Sequence, residues 1–552
     1  MLLLLLLAAS WHSLSLNGVG ASPTDVRRQL QQQLSERKRL LNDGDTPQES
    51  GWRRRIQQSS LSELDFPTDL RWTAPALKPV IFIVNMCNKG GGAAASRDDV
   101  WRILRDSPTN LAGYYDTCSY NRTALDLSNT LVIGPLQLPC NGTNSPSMGS
   151  GPWTVTSCHG TNPYGWFYWA EQYAVNTLKV NLSTYNHRVM IMPKLHQTFM
   201  EEDCGWAGIS TTGSVNPMPH NPYAYRYSYT WLAGDMWSSP WLWFHELGHA
   251  LWLQHANTPA QEYGDIASSM GGLKGYGLRC YNAPQNWQLG WGSPFVVLTR
   301  NELRPGVTVK RVIPAAHLDP DHSIRIALGP GAGQASDVSG VPANCTTQLW
   351  VSYRASSSVY DMLWKDLGTS AAFVHQWEGT SFSASPEPIE LASLKVPYAT
   401  KTPSDVQSSS YTVDGCRLVI SALEVWDGYA SFGVCVKTSD SGYETNCHDG
   451  IDDDCDGLID AKDPDCRQPP GKNLPPQQPI SKASTSSDDA DQEPGLIYEG
   501  LMQVMLRTRQ NSPPSPPSPR PPHPPPKPKT TVKVKAAASI PTVATGRRQL
   551  RQ

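Results

Sequence analysis

His245, Glu246, His249 and His255 are the residues whose types and spacing bear on chemistry, in the run WLWFHELGHALWLQHA from Trp241 to Ala256. Positions four apart on a helix differ by about 40° in azimuth and about 6 Å in height. The imidazoles of His245 and His249 therefore reach one tetrahedral ion. Glu246 falls off that line, yet near enough to act as a base on a water at the ion. Two ring nitrogens and a carboxylate in this order are the parts of a water-activating metal hydrolase. His255 supplies a third nitrogen only if the chain turns sharply after His249, because on a continuing helix it would lie about 240° away. A three-imidazole site suits zinc and accepts copper as well.

The full spacing, H-E-x-x-H with a further His six residues on, is the metzincin pattern, in which Gly occupies the turn. Here Trp252 stands at that position. A bulky residue in a left-handed turn costs about 1–2 kcal/mol. Two ways stay open: a strained turn that still delivers His255, or Glu262 or Asp265 as third ligand. Downstream, Ser269-Met270-Gly271-Gly272 places a Met in a tight turn, as in the Met-turn beneath metzincin sites. Met270 would support the ligands from below without binding the metal.

Elements must carry these residues. Val80–Val84 reads as a buried strand and Val189–Met192 as another. Trp101–Arg105 and Tyr164–Ala174 read as helices. Cys204–Ile209, with its glycines, reads as an edge strand that leaves room for an approaching backbone. Strands alternating with helices predict an α/β layer over 77–295. Short β runs separated by turn residues then predict a β-sandwich-like domain over 296–438. The fold class expected is thus an α/β metzincin-like zinc peptidase domain, a β-sandwich-like domain and a disordered Pro-rich tail.

The ends and the cysteines speak of export. Leu2–Leu7 and the small residues ending at Ala21 read as a signal peptide over 1–21. Residues 22–76 read as a propeptide or linker, with Arg53-Arg54-Arg55 either a processing site or a solvated turn. The 12 Cys of this 552-residue chain include no C-x-x-C pair, so a disulfide framework is expected over a Cys-ligated metal. Sequons at Asn121, Asn141, Asn181 and Asn344 are candidate glycosylation sites. A net charge of −3 argues against nucleic acid as partner, and no apolar run is long enough to span a membrane. Residues 468–552 form a basic tail containing NSPPSPPSPRPPHPPPKPK, a polyproline II composition with no core-forming capacity. The oligomeric state is not legible.

Residues 439–467 are acidic and Cys-rich. Asp452, Asp454, Asp456, Gly457, Asp460 and Asp463 follow the spacing of a calcium loop, with Asp where a bidentate Glu is usual. A solvated acidic linker is the alternative.

Taken together, HELGHALWLQHA, EYGDIASSMGG and CYNAPQNWQLGW resemble the gametolysin family of secreted metallopeptidases that degrade green-algal matrix. The resemblance implies a catalytic zinc held by His245, His249 and His255, with Glu246 as acid/base. It further implies hydroxyproline-rich extracellular matrix or cell-wall glycoproteins as substrate, and a location in that matrix or wall. The tail is similar to the Ser-Pro modules of such matrix proteins. The rival reading is a peptidase fold with a compromised site that serves as a binding or structural module.

Overall fold

The computed structural model describes residues 73–467, apart from position 90, 200–203, 215–226, 273–276, 330–337, 364–367, 380–385 and several positions between 398 and 407. The expected signal peptide over 1–21, the Arg53–Arg55 triplet and the Pro-rich tail lie outside the described residues.

The first sheet has the order β2-β1-β5-β7-β6, built from β1 (Pro79–Met86), β2 (Leu131–Leu138), β5 (His187–Ile191), β6 (Gly208–Ser210) and β7 (Ser228–Leu232). A small hairpin, β3 (Asn141–Thr143) with β4 (Pro152–Thr154), stands beside it. β2, β1, β5 and β7 run parallel, and β6 is antiparallel to β7 at the edge. A sheet covered on both faces favours near-continuous apolar strands, and β1 is apolar from Val80 to Val84. Ile81 and Ile83 join one core, Val80, Phe82 and Val84 the other.

Helices supply the two covers. α1 (Arg97–Trp101) begins at a Ser96 capping box and passes into a π-helical turn at Arg102–Asp106. α2 (Leu111–Cys118) and α4 (Pro240–Ala250) pack with Ile81, Ile83, Val189 and Ile191. α3 (Asn162–Asn176) covers the opposite face through Trp166, Phe167, Ala170 and Ala174. The aromatic run at Tyr164–Trp169 is thus largely core. α5 (Ala283–Gln288) starts at a capping box of Asn282 and Gln285.

Two further sheets follow. One has the order β13-β12-β11-β10-β8, from β8 (Ser293–Thr299), β10 (Asp321–Ala327), β11 (Gln348–Ala355), β12 (Ser370–Gln376) and β13 (Ile389–Leu394). The other has the order β14-β15-β16-β9, from β9 (Val309–Pro314), β14 (Ser410–Val413), β15 (Leu418–Trp426) and β16 (Tyr429–Val436). Both contribute to one core, with Ile324, Ile326, Val351 and Val374 from the first sheet and Ile420, Phe432 and Val434 from the second.

All 12 cysteines pair: Cys87–Cys140, Cys118–Cys280, Cys158–Cys204, Cys345–Cys416, Cys435–Cys455 and Cys447–Cys466. Among the described residues no helix is long and apolar enough to cross a membrane.

Candidate metal centre

α4 carries the site. Pro240 opens it, a position where the missing N–H costs nothing. Its apolar residues Leu242, Trp243, Phe244 and Leu247 are buried. Gly248, between the two histidines, has no room for a side chain: a Cβ would stand 2.6 Å from Met270 Sδ and 2.8 Å from the Tyr281 hydroxyl. Met270 therefore presses directly on the helix that bears the histidines. Its turn is closed by Gly271 N–H donating to Ser268 O at 3.1 Å, and its own carbonyl accepts from Ala256 N–H at 3.0 Å.

The helix ends abruptly. Leu253 N–H donates to Gly248 O at 3.0 Å and Trp252 N–H to His249 O at 2.8 Å, the bond pair of a Schellman motif. Trp252 takes the left-handed position, at φ 75°. The strained turn forms with a Trp where Gly is usual. It is held on three sides. Gly213 N–H donates to His249 O at 2.8 Å, the Gln288 amide donates to Trp252 O at 3.0 Å, and the indole covers Gly213.

Beyond the turn His255 comes back to the helix. Ligand nitrogens of His245, His249 and His255 all lie within 4.8 Å of one another, and the Nε2 atoms of His249 and His255 are 3.0 Å apart. Each Nδ1 is held by an acceptor: His245 donates to Ser269 O, His249 to Leu253 O and His255 to Glu262 Oε1, each at 2.8 Å. These bonds set the tautomer and leave Nε2 of each ring as the lone-pair donor. Burial, with the neighbouring imidazoles, lowers His245 well below the usual histidine range and His249 to about 4, so these rings are neutral at pH 7, as metal ligands must be. This set of three oriented imidazoles fits a divalent ion of zinc's class.

Glu246 lies beside β6. It is 4% exposed, and its Oε2 has no hydrogen-bond partner. Burial pushes its carboxyl up to about 8. Gly208 makes the approach possible, since a Cβ there would stand 2.5 Å from Glu246 Oε1. The edge strand expected over Cys204–Ile209 is found as the shorter β6, and its glycine faces the carboxylate. Tyr263 stands next to the histidines, its ring centroid 4.0 Å from that of His255. Burial, then the charges of Glu262, Glu246 and Glu387, raise its hydroxyl to about 12.

The other third-ligand candidates are placed differently. Glu262 orients His255 through Nδ1. Asp265 is fully buried and bonded to Asn282 Nδ2 at 2.8 Å and His375 Nε2 at 3.1 Å. Once the Trp252 turn returns His255, neither carboxylate is needed in the triad. His375 on β12 and Glu390 on β13, which the sequence reading missed, meet Asp265 behind the Met270 turn, where Ile266 N–H donates to Glu390 Oε2 at 3.1 Å. No local spacing marks them, because they arrive from strands more than a hundred residues away.

In the acidic segment, oxygens of Asp454, Asp456 and Asp463 come together, as do those of Glu444, Asp452 and Asp454. Asp460, expected among them, is turned away. Its oxygens accept from the backbone N–H groups of Asp449 and Gly450, each at 3.1 Å. Asn121, Asn141, Asn181 and Asn344 are all exposed.

A family model described as gametolysin peptidase M11 matches residues 77–410, which takes in the metal centre and most of the C-terminal sheets. The chain is also similar to an autolysin of Chlamydomonas reinhardtii, at 26% identity over 475 residues that cover 71% of this chain and 70% of the autolysin.

Proposed function

On the premise that the chain belongs to the gametolysin peptidase family, M11, we propose that it is a secreted zinc metalloendopeptidase that cleaves hydroxyproline-rich glycoproteins of an extracellular matrix or cell wall. The observation that carries the reading is the convergence of His245, His249 and His255 within reach of one ion, beside the buried, unpartnered Oε2 of Glu246 on the helix that bears the first two. His245, His249 and His255 would hold the metal. When bound, zinc supplies Lewis acidity, which acidifies a water and polarises the scissile carbonyl.

The residues of the chain do the rest. Glu246 takes a proton from the attacking water at its unpartnered oxygen and returns it to the leaving amine. A carboxyl at about 8 without a metal is drawn down by a nearby cation, so it enters the cycle as a base. β6 is a sheet edge, with Ile209 45% exposed. An extended substrate adds to that edge by main-chain pairing and passes Glu246 at Gly208. Met270 and Gly248 keep the helix seated, and the C-terminal sheets, read as a β-sandwich-like domain, brace the loop behind it. The leader pattern, the exposed sequons and the Ser-Pro tail support export and a matrix location.

Hydrolysis of a Pro-rich glycoprotein by the wild type and by Glu246→Gln tests the reading. We expect zinc to be retained and turnover to fall by a factor of at least about 10³. Equal turnover in both would overturn the mechanism, and no turnover in either, with zinc bound, would favour a binding module.

A further inference from the structure

Residues 439–467 have almost no regular structure, only short 3-10 turns at Asp460–Lys462 and Pro464–Arg467. Cys435–Cys455 ties the segment to β16, and Cys447–Cys466 closes it on itself. It docks on the C-terminal sheets through its backbone. Asp452 N–H donates to Gly306 O at 3.2 Å, and Thr438 N–H donates to Asp453 O at 3.1 Å. Gly306 yields space to Ile451, whose Cγ2 would stand 1.8 Å from a Cβ there.

A stretch this poor in apolar groups has no core of its own, yet it buries carboxylates. Asp452 is 4%, Asp453 2%, Asp454 9% and Asp463 1% exposed. Asp453 is satisfied, with its oxygens accepting from Thr438, Thr445 and Asn446. The others are not. Asp452 gives one oxygen to Gly457 N–H at 3.0 Å and Asp463 gives one to Asp465 N–H at 2.7 Å. The second oxygens, Asp452 Oδ1 and Asp463 Oδ2, are buried without any hydrogen-bond partner. Two such oxygens beside further carboxylates are costly unless a cation joins them.

The spread of the donors indicates which cation. Calcium binds six to eight oxygens at about 2.3–2.6 Å, so oxygens on opposite sides of one ion are about 5 Å apart. Oxygens of Asp454, Asp456 and Asp463 lie within 4.8 Å of one another, and so do those of Glu444, Asp452 and Asp454, with Asp454 common to both groups. Magnesium demands a tighter octahedron and keeps its waters. A bundle made almost wholly of protein carboxylates suits the larger ion.

We propose that Asp452, Asp454, Asp456 and Asp463, joined by Glu444 from outside the linear loop, hold one calcium ion that fastens this segment to the C-terminal sheets. Asp460 stands outside both groups of converging oxygens. The ligand set is therefore not the one that linear loop spacing names.

The test uses the full, zinc-loaded chain in calcium-free buffer, titrated calorimetrically with Ca²⁺ and separately with Mg²⁺. One Ca²⁺ site is expected, with Mg²⁺ at least tenfold weaker. D452N/D463N should weaken Ca²⁺ binding roughly 100-fold while zinc content and peptidase turnover stay unchanged, and D460N should bind within about threefold of wild type. Calcium should also slow proteolytic nicking between residues 440 and 467 in the wild type but not in D452N/D463N. Absence of Ca²⁺ binding, equal binding of Mg²⁺, or undiminished binding by D452N/D463N would overturn the site. A loss in D460N as large as in the double variant would overturn the ligand set.

Discussion

The indole of Trp252 covers Gly213 so closely that a Cβ on the glycine would stand 2.1 Å from its ring atoms. The pair explains how a left-handed turn tolerates a large residue. The strain of about 1–2 kcal/mol at Trp252 is offset by the contact of the half-buried ring with Gly213 and by the bond from Gly213 to His249 O. Gly213 itself sits at φ 73°.

Gly213→Ala should therefore cost about 2–4 kcal/mol, combining overpacking with backbone strain, and lower zinc occupancy because His249 and the turn shift together. Trp252→Gly relieves strain but loses ring contacts, and should change stability by less than about 1 kcal/mol. Chemical denaturation with zinc analysis checks both. A neutral Gly213→Ala would remove the account of the turn.

Glu262 orients the His255 ring through its Nδ1. Glu262→Ala should weaken zinc affinity about 10–100-fold, as measured by competition with a chromophoric chelator. Unchanged affinity would show that the ring is oriented by packing against Tyr263 instead.

Glu246 makes metal-free stability depend on pH. Its carboxyl rises from 4.5 to about 8 on folding, so the folded chain holds a proton that the unfolded chain releases. That contribution is present below about pH 4.5 and is lost as pH rises toward 8, on the order of 5 kcal/mol in all. Glu246→Gln should flatten the stability curve of the metal-free protein across this window. Parallel curves for the two proteins would contradict the burial account.

Asp265, His375 and Glu390 join the Met270 turn to β12 and β13. Burial and the Asp265 charge raise Glu390 well above the usual carboxylate range. Asn257 also pairs with β13, donating to Pro388 O at 3.0 Å and accepting from Glu390 N–H at 2.7 Å. His375→Ala should cost about 3–5 kcal/mol, and a chain ending at residue 295 should fail to retain equimolar zinc. Full zinc retention by the shortened chain would show the metal centre to be self-sufficient.

Much of the fold was legible where one local period decides the outcome. The apolar run Val80–Val84 of β1 and the short β runs over 296–438 read directly. β2 did not, because Gly134-Pro135 within LVIGPLQL looks like a turn, while the neighbouring β1 accommodates it by a register shift between Phe82 and Val84.

From its order of residues alone, the chain determined that His245 and His249 share a helix face with Glu246 beside them, because 3.6 residues per turn leaves no other arrangement. It also determined that an even set of scattered cysteines would pair. Tertiary structure alone decided that His255 returns past Trp252, that Gly208 and Gly213 make room for Glu246 and the indole, and that Glu444 comes beside Asp452 and Asp454. Those outcomes depend on which distant surfaces meet and which polar atoms they leave unpaired, and no spacing along the chain encodes that.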